Sequence, residues 1–162
     1  MREAQKVCEL EKRHCDTMEW EKFDKVDQNK CAKCIAQMKF VSFGFELCHP
    51  QRGDRCAFAI KYKSRSFKIQ LRSLRRFDYA CISRENFNIN NEYLFLVFVA
   101  FNNNEVPNIF LIQATEWRTP NNLLKIGVYP NALPDYGIRY SQKNLNLLSE
   151  YKFENKIKDL LD

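Results

Sequence analysis

Apolar residues recur at every second position through two stretches near the middle of the chain. Phe58, Ile60 and Tyr62 alternate with Ala59, Lys61 and Lys63; Phe67, Ile69 and Leu71 alternate with Lys68, Gln70 and Arg72. Side chains of an extended strand point alternately to opposite faces. Both stretches therefore read as strands with one apolar face and one polar face, joined by a turn at Ser64-Arg65-Ser66. A shorter alternation from Phe45 to His49 ends at Pro50, and Gln51-Arg52-Gly53-Asp54 supplies the next turn.

Upstream the period changes. Cys31, Cys34, Ile35, Met38 and Val41 fall at spacings of three and four, which predicts a helix over 29–43 with this stripe as its buried side. Gly44 stops it, because glycine takes the left-handed conformation that ends helices. Residues 79–82 read as a short strand. The unbroken apolar run Tyr93–Phe101 predicts a central strand buried on both faces. Asn102-Asn103-Asn104 is a turn, 108–113 a further strand, and 118–140, with Pro120, Pro130 and Pro134, reads as loop. Leu145, Leu148 and Tyr151 mark one closing helix, and Phe153, Ile157, Leu160 and Leu161 a second. The order predicts a layered α/β (α+β) domain over 29–162, with one central mixed sheet flanked by helices. Residues 1–28, dense in both charge signs, read as a helical extension carrying Val7, Leu10, His14 and Met18, suited to a protein partner.

Composition agrees with a packed core: 45% of the 162 residues are apolar, including 13 Phe. The longest apolar run is far short of the ~20 residues a membrane helix needs. The seven cysteines are odd in number and irregular in spacing, and the chain is charged from Arg2 onward. A soluble, cytoplasmic protein with reduced thiols is expected. Cys31-x-x-Cys34 has zinc-ligand spacing, with Cys8, His14, Cys15, Cys48 and His49 as further donors. No second such pair occurs, and the two cysteines sit on the apolar stripe, where cysteine packs as a small hydrophobe. His49 is a candidate base.

Charge is distributed unevenly. Between Arg52 and Arg76 stand nine basic residues and one acid, Asp54. That excess of eight is larger than the +6 of the whole chain, so the rest is net acidic. Strand alternation gathers Lys61, Lys63, Lys68, Gln70 and Arg72 on one face, with Arg75 and Arg76 beyond. Such a face attracts phosphates; the alternative is a solvated face or an edge guarded by Lys and Arg.

The segment Gly44-Phe45-Glu46-Leu47 through Pro50, Gly53-Asp54, and then Phe67-Lys68-Ile69-Gln70-Leu71-Arg72-Ser73 resembles the core of PD-(D/E)XK nucleases. It is most similar to uncharacterised bacterial restriction-endonuclease-like domains, over roughly residues 30–160. The resemblance implies a helix leading to a glycine and a strand, an Asp on the second strand, and (Glu/Gln)-x-Lys on the third. It implies Mg²⁺-dependent phosphodiester hydrolysis, in which the metal activates water and stabilises transition-state charge. Gln70 matches the Glu/Gln and Arg72 replaces the Lys, keeping the charge in another shape. Ala59 falls where the Asp belongs, and Ala32 where some members carry a helix acid. The acids left to substitute are Glu46 and Asp54. A degenerate nuclease that binds nucleic acid, DNA favoured, without efficient cleavage is the leading expectation. An active Mg²⁺ enzyme using Asp54 or Glu46 with Gln70 and Arg72 is the second, and a protein-interaction module the third.

Overall fold

The computed structural model describes residues 19–162. The helix expected around Val7–Met18 lies outside them. A 3-10 turn at Trp20–Lys22 leads into α1 (Lys25–Ser42). Asp24 caps α1 by accepting the Asp27 N–H at 2.8 Å. The other end closes as the glycine predicts. Gly44 has φ +87°, its N–H donates to the Val41 carbonyl, and the Phe45 N–H reaches back to the Phe40 carbonyl. The Phe40 and Phe45 rings meet 5.5 Å apart, completing a Schellman stop with its apolar contact.

The helix forms as expected, but its buried face is turned away from the expected stripe, of which only Cys31 and Ile35 pack partly against the core. Gln28, Ala32, Ala36 and Phe40 face the core, while Cys34 is exposed and Met38 and Val41 stand 50% and 51% exposed. Ala32 and Ala36 weigh little on a hydropathy scale, but their size lets the helix lie close on a sheet. Gln28 is buried because its amide donates to the Ser73 hydroxyl at 2.7 Å.

Eight strands follow: β1 (Glu46–Cys48), β2 (Phe58–Tyr62), β3 (Arg65–Leu74), β4 (Asp78–Ser83), β5 (Leu94–Ala100), β6 (Asn108–Gln113), β7 (Leu124–Tyr129) and β8 (Ala132–Tyr140). Helices α2 (Leu145–Ser149) and α3 (Phe153–Leu161) close the chain. The central mixed sheet has the order β1-β2-β3-β5-β6, with β3 and β5 parallel and the other neighbours antiparallel. The β2–β3 turn is Lys63-Ser64, one residue earlier than expected, with Lys63 at φ +53° and Ile60 paired to Phe67.

A second, antiparallel sheet, β4-β8-β7, replaces the loop expected over 118–140. The prolines fit within it. Pro130 sits in the turn closed by the Tyr129–Ala132 pair. Pro134 lies where the β7–β8 register shifts and before the first β4 partner, Asp135, so no ladder hydrogen bond is required of it.

Three layers result. α1 and α3 cover one face of the large sheet over Phe58, Ile60, Phe67, Ile69, Val97 and Val99. The second sheet covers part of the other face over Leu96, Phe98, Phe110 and Ile112. β5, between them, is buried along its whole length, as its unbroken apolar run predicts. Trp20 enters the helix-side core at 3% exposure, 4.8 Å from Phe101, and its indole N–H donates to the Glu105 carbonyl. The expected extension is therefore part of the packed domain from Trp20 on. Among the described residues no helix is long and apolar enough to cross a membrane.

Candidate nucleic-acid interface

Residues opposite each other in a ladder share a face, so the registers map the surface. Cys48, Ala59 and Lys68 form one row across β1, β2 and β3; Glu46, Lys61 and Ser66 form the next. The second sheet packs on β5, β6 and the end of β3 at Arg72 and Leu74, and Lys61 and Lys68 remain exposed on the other half.

Asp54 folds back onto this half. Its carboxylate accepts from the Lys68 ammonium at 2.5 Å and from the Gln51 N–H at 3.1 Å, while its own N–H donates to the Gln51 carbonyl across Gly53, at φ +94°. The Lys68 hydrogen bond, chiefly, holds the Asp54 carboxyl below its ordinary value of 3.8. A carboxyl depressed by folding stabilises the protein above its unfolded pKa, and that contribution is lost as pH falls through the folded one. Asp54→Asn is therefore expected to flatten the fall in stability below about pH 3.8, measured by urea unfolding across the acid range.

Gln70 is not on the open face. It is 6% exposed, and its amide nitrogen donates to the carbonyls of Arg55 and of Asn86, the latter at 3.0 Å. The 3-10 turn Arg84–Asn86 roofs it, and Arg55 ties that roof down through Glu85 at 3.3 Å. Arg55 counts in the sequence only as one of the nine cations, and Glu85 and Asn86 are not legible there as site residues. The only signal was a polar run after β4, since their approach depends on where the second sheet docks.

The basic residues divide by employment. Arg72 is half-buried: its Nε donates to the Cys81 carbonyl on β4 and its Nη1 to the Leu71 carbonyl, both at 2.7 Å. Arg75 Nη1 meets the carbonyls of Trp20, Glu21 and Phe23, the last at 2.6 Å. Arg65 turns to the helix side and donates to the Leu160 carbonyl. Lys61, Lys63 and Arg76 are exposed without an ion pair among the described residues, Lys63 lying 5.1 Å over the Tyr62 ring. Of the sequence-predicted site residues, the fold thus brings Asp54 and Lys68 to the neighbourhood of Gln70. Glu46 is two strands and two rows from Gln70, roughly 15 Å at ordinary strand spacings.

Metal chemistry needs converging oxygen ligands. Asp54 is occupied by Lys68 and Gln51, Gln70 presents its amide N–H groups to two carbonyls, and Ala59 contributes nothing. Among the described residues no three His, Cys, Asp or Glu side chains group to hold a metal ion. This donor set does not fit the two-ligand Mg²⁺ site that the resemblance implies. The described cysteines are all unpaired. Burial pushes the Cys31 and Cys56 thiols up, away from nucleophilic thiolates.

A cavity of about 260 Å³ lies on the opposite, helix side of the large sheet, floored by Phe67, Phe95 and Leu111 and edged by Tyr93 and Glu116. Tyr151 lines it and donates its hydroxyl to Glu116 at 3.0 Å. It is separated from Gln70 by the sheet itself.

The fold and this site together define a mixed α/β protein with a cationic half-sheet. No protein-family model and no curated protein matches the chain.

Proposed function

We propose that this chain binds nucleic acid, duplex DNA favoured, through the β2–β3 half-sheet, and that it cleaves poorly or not at all. The observation that carries the reading is the charge between Arg52 and Arg76, nine cations to one acid, with Lys61, Lys63 and Arg76 left exposed. The nuclease resemblance supports the same surface, because β3 carries Gln70 and Arg72 where that family carries its third-strand motif. Ala59, opposite Lys68, stands where the metal-binding Asp would be. Phosphate contacts of this kind give affinity without sequence readout.

The test is fluorescence anisotropy of a labelled duplex over a range of salt. Affinity should fall steeply with salt, and Lys61→Glu with Lys63→Glu should lower the slope of log K against log salt by roughly one per lost contact. Affinity independent of salt, or no binding at low salt, overturns the proposal.

The second reading, a metal-dependent nuclease, has Asp54 folded back near Gln70 in its favour but requires that its carboxylate leave Lys68 to hold a metal. Plasmid nicking in Mg²⁺ or Mn²⁺ that disappears in Asp54→Asn would establish it. Intact plasmid in both metals would leave the binding reading alone.

A further inference from the structure

Three cations meet at the far end of β3, away from Lys61 and Lys63. Lys25 is the first residue of α1, and its ammonium donates to the Ser73 carbonyl at 2.7 Å. Arg72 precedes Ser73 on β3, and Arg75 follows the strand's last residue, Leu74. Among the described residues none of the three has a carboxylate within ion-pair distance, although the protein forms six such pairs elsewhere. The acids nearby are otherwise placed. Asp24 caps the helix, Asp27 pairs with Lys30 at 3.2 Å, and Asp78 is exposed at the start of β4.

Bringing like charges together, two of them half-buried, is unfavourable. Burial, with Arg75 and Arg72 beside it, pushes the Lys25 ammonium below its ordinary value, and only Asp78 pulls the other way. A lysine at the first position of an 18-residue helix also opposes the positive end of the helix dipole. A neutral donor would serve the Ser73 carbonyl as well as the Lys25 ammonium does.

The three side chains are at the same time held in place with donors to spare. An ammonium has three N–H groups and one is used; a guanidinium has five. Arg75 spends one nitrogen on three carbonyls, and its Nε and Nη2 make no hydrogen bond among the described residues. Arg72 leaves Nη2 unspent. Cations already fixed by backbone carbonyls lose little further freedom when an anion arrives.

We propose that Lys25, Arg72 and Arg75 form a phosphate-binding site at the end of β3. This rests on the nucleic-acid reading for its ligand, a backbone phosphodiester, and adds a second anchor to it. A phosphate carried by a small molecule has the same chemistry.

The test uses the full chain and two probes, inorganic phosphate and a short duplex, each titrated while the arginine Nε–H signals are followed by NMR. Both should shift the Arg72 and Arg75 signals saturably. Lys25→Gln should weaken phosphate several-fold and lower the duplex salt slope by about one, and Lys25→Arg should restore both. Duplex binding with an ordinary salt slope that Lys25→Gln does not change overturns the site and leaves the nucleic-acid reading standing. Saturable phosphate lost in Lys25→Gln, with no duplex binding, keeps the site for a small phosphate ligand and overturns that reading. Signals that move with neither probe overturn the site, and the absence of duplex binding at low salt overturns the nucleic-acid reading.

Discussion

Replacing Phe40 with alanine is expected to cost about 3–5 kcal/mol of unfolding free energy, the range for a large ring removed from a packed core. Phe40 is fully buried, with its ring 5.5 Å from Phe45, 6.0 Å from Phe58 and 4.8 Å from Phe153, so it joins α1 to the sheet and to α3 at once. Such a loss is a large part of the stability of an ordinary domain. Met38→Ala, two residues away on the outer side, is expected to change stability by no more than about 0.5 kcal/mol. Urea unfolding followed by circular dichroism measures both. The reverse ranking would mean that α1 packs on Cys34, Met38 and Val41, and that the helix is turned about its axis.

Gln70→Glu is expected to lower stability by about 2–4 kcal/mol at neutral pH, although it brings the third strand closer to the nuclease pattern. A carboxylate there would face the Arg55 and Asn86 carbonyl oxygens in place of the amide that donates to them. Protonation relieves the clash, so folding raises the pKa of the new carboxyl above the ~4.3 of an unfolded glutamate. A group with a raised folded pKa gives its full stability below the unfolded value and loses it as pH rises. The gap between Gln70→Glu and the unmodified protein should therefore narrow as pH falls toward about 4. Equal stabilities at neutral pH would show that the side chain meets solvent or a cation instead of the two carbonyls. The same hydrogen bonds make Gln70→Ala a poor test of cleavage, since lost activity could follow from lost packing; Asp54→Asn is the cleaner variant.

Much of the fold is legible along the chain because it depends on local geometry. Period-two alternation marks β2 and β3, and the unbroken apolar run marks β5 with both faces buried. Gly44 ends α1 through a backbone conformation that few other residues adopt readily. Where the reading fails, the deciding contacts are distant. The buried face of α1 is only partly legible, because alanine's small volume matters only once a sheet lies beneath it. The second sheet was missed because proline argues against strands locally, while Pro130 and Pro134 occupy the places in that sheet that need no N–H.

The candidate site divides in the same way. The concentration of cations between Arg52 and Arg76, the single Asp54 and the alanine at 59 are properties of the sequence itself, and so is the electrostatic preference for a polyanion. Which cations remain available to a ligand is a tertiary matter. Arg72 and Arg75 are held by backbone carbonyls of β4 and of the turn before α1 with N–H groups left over, while Lys68 is taken by a carboxylate from a folded-back loop. Gln70, polar by sequence and on the polar side of its strand, is buried because the turn at Arg84–Asn86 closes over it. Charge is carried by each residue wherever it lies; exposure and hydrogen-bond partners exist only once segments far apart in the chain have met.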